Sequence, residues 1–147
     1  MNRAFPASCA VAHIKGSEEY PNISGKIHFS QRKDFVLIEV MICNLPTTET
    51  GFFGFHIHEG ENCSGDNFLN TGSHYNPGNT EHPKHAGDLP PLLFCNGGAY
   101  LAVRTNRFSV ADIIGRTVVI HQMPDDFKSQ PSGNTGTKIA CGKIFGI

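Results

Sequence analysis

Tryptophan is absent from this 147-residue chain, methionine occurs three times, and no apolar run reaches the ~18 residues of a membrane-spanning helix. An excess of one charge is also missing. Twelve Lys and Arg stand against 13 Asp and Glu, a formal net charge of -1. That is too little cation for a protein that holds nucleic acid by neutralising phosphates. Met1-Asn2-Arg3-Ala4-Phe5-Pro6 lacks the apolar stretch of a secretory signal. The expectation is a cytoplasmic protein with no nucleic-acid or membrane partner. Sustained helical periodicity is scarce as well, whereas 16 Gly and 9 Pro punctuate the chain. Such punctuation favours many short elements over a helical bundle. With 39% hydrophobic and 17% charged residues, the chain reads as a single domain, 1–147, that can bury its own core.

Strand patterns supply the scaffold. Residues 9–15 (CAVAHIK), 23–30 (ISGKIHFS) and 35–43 (FVLIEVMIC) are small or β-branched and are separated by turn residues. The glycine at position 25 reads as a bulge. In the third run Val36, Ile38, Val40 and Ile42 form the expected inner face. Residues 52–58 (FFGFHIH), 99–103, 117–121 (TVVIH) and 138–145 (KIACGKIF) read as further strands, and 109–115 as one short turn of helix. Phe52, Phe53 and Phe55 are expected as core or loop-packing residues rather than a binding platform. Two polar stretches, from Glu59 to about Gly98 and from Pro124 to Gly136, lack either period. Loops of that length inside a domain are usually functional. The coarse reading is an antiparallel β-sandwich or barrel with two long loops.

Eight histidines and five cysteines are what the chain has in plenty. His56 and His58 flank Ile57 in a strand, so both rings leave the same face, roughly 7 Å apart along the strand. Alone, such a pair equally fits two solvated or core-edge histidines. The first loop then adds His74, His82, His85 and Asp88. Three imidazoles and a carboxylate compose a closed tetrahedral shell of the kind a structural Zn²⁺ takes, and an ion would order a loop that has no core of its own. His121 ends the TVVIH strand. His13 and His28 fall in other strands and read as structural.

These residues carry a family resemblance. Gly54-Phe55-His56-Ile57-His58-Glu59 resembles the GFHxHE motif of the copper–zinc superoxide dismutases. Gly72-Ser73-His74-Tyr75-Asn76-Pro77 resembles their GxHxNP segment, and His85-Ala86-Gly87-Asp88-Leu89 their HxGDL. Gly115 to His121 resembles GRTxVxH, and residues 133–142 resemble the terminal GNxG…ACG. The resemblance implies an all-β, eight-stranded Greek-key β-barrel or sandwich with two long functional loops. It implies copper held by His56, His58, His74 and His121, and zinc held by His74, His82, His85 and Asp88. His74 is then shared between the ions and passes a proton to the departing peroxide. Asp125 links a ligand of each metal, and Cys63 and Cys141 form a disulfide. The implied activity is conversion of two superoxide ions to oxygen and hydrogen peroxide. Superoxide is the small anionic substrate, and a copper chaperone and a second copy in a homodimer are the implied partners.

The chain also departs from the family pattern. Lys138 stands where the family usually carries an Arg beside the copper. It keeps the charge that draws a small anion but loses the rigid fork of a guanidinium. His82 and His85 are separated by only two residues, a shorter spacer than the family's. Either the loop is tighter or His82 falls short of the metal. Cys9, Cys43 and Cys95 have no family counterpart and are expected as thiols, with Cys95 the most exposed. The second loop has Lys128 as its only cation, so electrostatic steering is expected to be modest. These departures leave a rival expectation, a non-catalytic superoxide dismutase-like protein that binds zinc or carries copper.

Overall fold

A computed structural model describes residues 8–147, so the reading of Met1 to Pro6 lies outside the described residues. The strands are β1 (Cys9–Gly16), β2 (Ser24–Gln31), β3 (Val36–Cys43), β4 (Phe52–Phe53), β5 (Phe55–His58), β6 (Leu92–Leu93), β7 (Ala99–Thr105), β8 (Thr117–His121) and β9 (Lys138–Gly146). All pairings are antiparallel. One sheet runs in the order β5-β8-β9-β1-β2-β3-β7, and β4 pairs with β6. The chain therefore jumps from β3, near one edge, to β5 at the other, as in a Greek key.

The expected 52–58 strand is bent at Gly54, and its halves serve different partners. Phe53 pairs with Leu92, whereas Phe55 pairs with Ile120. Counted as one bent strand, β4 and β5 bring the strands among the described residues to the eight expected. Because β6 also lies against β7, the sheet curls into a half-barrel. The sequence reading missed β6, since two leucines after Pro90-Pro91 are too short to show alternation. It also missed the 3-10 segment Asp66–Thr71, which is kinked where Asn67 and Phe68 take left-handed φ of 52° and 57°. The expected helical turn appears as α1 (Val110–Ile113), where the Ser109 N–H donates to Asp112 Oδ2 at 2.9 Å.

The barrel interior follows the period of two. Val36, Ile38, Val40 and Ile42 are buried together with Ile27, Phe29, Phe53 and Phe55. Phe52 is exposed, because its neighbour Phe53 takes the inner face of β4. Gly25 is not a bulge: the register runs unbroken through Ile14↔Gly25 and Gly25↔Ile42. Glycine is there because a Cβ would collide with Met41 O and sit 2.7 Å from Ile42 Cδ1. Cys63 and Cys141 are bonded, with Cα atoms 6.0 Å apart, which pins the first loop to β9. Cys141 is buried, so the bond is shielded on that side. Cys43 and Cys95 are both exposed, and Cys9 is half-buried.

β5 and β8 break the one-face rule, since every residue in both strands is buried. Phe55, Ile57, Val118 and Ile120 enter the core. His56, His58, Val119 and His121 occupy the opposite, outer face and are covered by the two long loops. Backbone bonds seat the roof: Ile57 N–H donates to Gly87 O at 2.9 Å, and Tyr75 N–H donates to Ile57 O at 2.8 Å. The candidate chemistry lies in this outer layer.

Candidate metal centre

Two isolated bridges bring the loop to the strand. His58 is paired with His74, and His56 with Asp88. Across β8 and β9, Lys138 is the backbone partner of His121, at a register irregularity between Ile120 and His121. Six histidines, Asp88, Asp125 and Lys138 thus gather from two strands, two loops and the start of a third strand. His13 and His28 do not join them. His28 faces Ser30 Oγ at 3.2 Å on β2.

Tautomers follow from the acceptors. Asp125 is an ionised carboxylate and can only accept. Its Oδ2 lies 2.9 Å from His56 Nε2 and its Oδ1 2.8 Å from His82 Nε2, so both rings donate from Nε2. Their Nδ1 atoms keep lone pairs, and both are buried without a hydrogen-bond partner. His82 Nδ1 stands 3.1 Å from Asp88 Oδ2, but without hydrogen-bond alignment. His58 Nδ1 donates to Gly72 O at 2.8 Å, which leaves its Nε2 lone pair 3.1 Å from Nε2 of His121. His74 Nδ1 lies 2.8 Å from Asp88 Oδ1, and its buried Nε2 has no partner. Nδ1 of His121 is likewise buried without a hydrogen-bond partner. An orphaned buried polar atom costs about 1–3 kcal/mol. Several such atoms converging in one place are what a cation would satisfy.

The donor atoms form two overlapping sets. Ligand atoms of His56, His58, His74 and His121 lie within 4.8 Å of one another, and so do those of His56, His74, His82 and Asp88. His85 joins the second neighbourhood, its Nδ1 lying 3.3 Å from His74 Nδ1 and 3.3 Å from Asp88 Oδ2. Zinc bonds of about 2.0–2.1 Å in a tetrahedron set neighbouring donors about 3.3 Å apart. The separations of 2.8, 3.1 and 3.3 Å among His74, His82, His85 and Asp88 are of that size. The residues fit the ions.

Electrostatics agree with this. Burial pushes His56 down from 6.5 to about 4, with the hydrogen bond to Asp125 opposing. Burial, then the neighbouring rings, holds His58 and His121 well below the ordinary imidazole range. His85 is lowered by burial too. Burial would raise Asp125 and Asp88, but the hydrogen bonds from His56 and His82 to Asp125, and from His74 to Asp88, outweigh it and lower both. Neutral imidazoles and ionised carboxylates are the metal-binding forms. Beside the rings opens a cleft of about 480 Å³ lined by His58, His121, Pro131, Gly136 and Lys138 among others.

A family model described as copper/zinc superoxide dismutase (SODC) matches residues 23–144. This chain belongs to the copper/zinc superoxide dismutase family. It is 35% identical over 135 residues to superoxide dismutase 1 (copper–zinc) of Aquifex aeolicus, covering 82% of this chain and 79% of that protein. It is also 35% identical over 132 residues to the copper–zinc superoxide dismutase of Legionella pneumophila, covering 84% and 79%. The superoxide dismutase-like protein YojM of Bacillus subtilis is 33% identical over 108 residues, covering 63% and 55%.

Within this member of the family, the short spacer resolves as a tight turn, and His82 does reach the cluster. His85 N–H donates to Asp88 Oδ2 at 3.0 Å. Gln130 brackets the His82 backbone, its Oε1 accepting from the N–H at 2.9 Å and its Nε2 donating to the carbonyl at 2.7 Å. Arg107 donates to Pro83 O at 2.7 Å and to His85 O at 3.1 Å. The sequence reading named neither Gln130 nor Arg107, since nothing local in the chain ties residue 107 or 130 to residue 82. It also passed over Gly133, whose φ is 74° and where a Cβ would overlap Asp125 Oδ1 and lie 2.7 Å from His82 Nε2. The only signal for it was its place in the GNTG segment. Lys138 Nζ donates to Thr71 Oγ1 at 2.7 Å and to Gly72 O at 3.1 Å.

Proposed function

We propose that this protein is a superoxide dismutase, converting two superoxide ions to oxygen and hydrogen peroxide. The observation that carries the reading is the pair of overlapping donor sets, which have His56 and His74 in common. Copper held by His56, His58, His74 and His121 supplies the one-electron redox change, and zinc held by His74, His82, His85 and Asp88 organises the site without one. Asp125 holds His56 and His82 in the tautomer that frees Nδ1. Lys138, half-buried at the cleft, attracts the anion and orients it toward His58 and His121. His74 turns Nδ1 to Asp88 and keeps its buried Nε2 without a partner, so its ring can hold and release a proton at Nε2 for the peroxide product. The likeness to YojM, whose name says only superoxide dismutase-like, together with Lys138 at the family's Arg position, favours a second reading: a zinc-binding or copper-carrying relative without turnover.

Reconstitution with both ions, metal analysis and a superoxide assay separate the two. Copper near one per chain with fast turnover supports the enzyme, and zinc alone with no turnover supports the relative. His121→Ala is expected to abolish turnover while folding and zinc binding persist. Lys138→Glu is expected to lower the rate sharply by reversing the charge. A rate equal to the parent's removes Lys138 from the site.

A further inference from the structure

We infer that Thr71 is a positioning residue for anion binding: its hydroxyl holds the Lys138 ammonium in place and supplies part of the rigidity that a guanidinium fork would have had. The inference rests on the proposed role of Lys138 at the copper set.

A lysine ammonium is a point charge on a flexible stem with three rotatable donors. Left alone it samples many positions and orients a small anion poorly. Here two acceptors converge on it, Thr71 Oγ1 at 2.7 Å and Gly72 O at 3.1 Å. Thr71 cannot turn away. It is fully buried, and its hydroxyl already donates to Phe68 O at 2.8 Å. With the proton committed there, only lone pairs face Lys138. The result is a one-way chain, Lys138 Nζ–H to Thr71 Oγ1–H to Phe68 O, in which each bond polarises the next. A β-branched side chain has few χ1 options, which stiffens the anchor.

Both acceptors are uncharged. No carboxylate pairs with Lys138 among the described residues, so its positive charge remains available to the cleft. Two of its three N–H groups are occupied and the third is left for a ligand. Gly72 O is the same oxygen that accepts from His58 Nδ1. One carbonyl therefore fixes the ammonium relative to a ring of the copper set. Thr71 closes the 3-10 helix that follows Cys63, so the first loop, pinned to β9 by the disulfide, carries the anchor back to Lys138 at the start of β9.

The competing role for Thr71 is closure of the helix through Phe68 O alone. Two readouts besides turnover distinguish the roles. In ¹⁵N-lysine-labelled, zinc-loaded protein, the Lys138 ammonium should exchange slowly enough with water to be observed, and its signal should vanish in Thr71→Val and return in Thr71→Ser. In copper- and zinc-loaded protein, azide titrated against the copper absorption should bind about threefold to tenfold more weakly in Thr71→Val, a loss of the size of one ordinary net hydrogen bond. The decisive measurement is a cycle with Lys138→Met. If Thr71 acts through Lys138, Thr71→Val has no further effect on azide affinity in that background. An equal loss in both backgrounds, or azide affinity and ammonium signal unchanged in Thr71→Val, overturns the inference. Thr71→Ala takes its place in the cycle should the valine variant misfold. Lack of turnover in the parent protein would sink the proposed function but leave both readouts intact.

Discussion

Replacing Asp125 by Asn tests the centre at its junction. The carboxylate accepts from His56 Nε2 and His82 Nε2, and from the Phe127 N–H at 2.8 Å. An amide of the same shape offers one oxygen and one NH₂. Only one ring can then donate, and the other meets a donor. To escape, that imidazole must shift its proton to Nδ1, the atom whose lone pair faces the metal donors. Loss of such an orienting partner costs about 10–100-fold in metal affinity, or about 1.4–2.7 kcal/mol. The amide leaves one of the two rings without an acceptor, so affinity should fall for the ion which that ring helps to hold. The assay is competition against a chelating indicator, for Zn²⁺ and for Cu²⁺ separately, with the metal-free protein's urea midpoint as a folding control. Affinities within twofold of the parent for both ions would refute the tautomer argument.

Metal-free protein should lose stability as the pH falls from about 6.5 toward 4. Buried His56 stays neutral down to about 4, whereas the unfolded chain takes up its proton near 6.5, so acid favours unfolding by about 3 kcal/mol for this ring. Urea unfolding at pH 7.5 and pH 4.5 measures it, and a flat profile contradicts it. Asp88 and Asp125, both lowered, add their losses only at more acidic pH. Gly133→Ala should weaken zinc binding at least tenfold by pushing Asp125 off His82, read in the same indicator competition. Cys141→Ser, which opens a link across 78 positions, should cost about 4 kcal/mol in chemical denaturation of the metal-free protein.

Much of this fold was legible because strands with one wet face write their period into the chain. β3 alternates Val36, Ile38, Val40 and Ile42 with Leu37, Glu39, Met41 and Cys43, and its burial follows that alternation. Where a strand is covered on both sides, the alternation carries chemistry instead. In Phe55-His56-Ile57-His58 the apolar residues enter the core and the imidazoles face the roof. The ligand types were visible for the same reason, since histidine is rare enough that six in the right motifs stand out.

Local sequence determined most of the strands and the histidine pair, and the motifs along the chain supplied the candidate ligand set. Tertiary structure alone decided how those groups are held. Which nitrogen of His56 and His82 carries the proton depends on Asp125, 69 and 43 positions away. Whether His82 could reach past a short spacer depends on Gln130 and Arg107. Whether a lysine stands firm depends on Thr71, 67 positions upstream. Periodicity records a residue's relation to water. A hydrogen bond between distant loops records only where the folded backbone brings them, and no local pattern encodes that meeting.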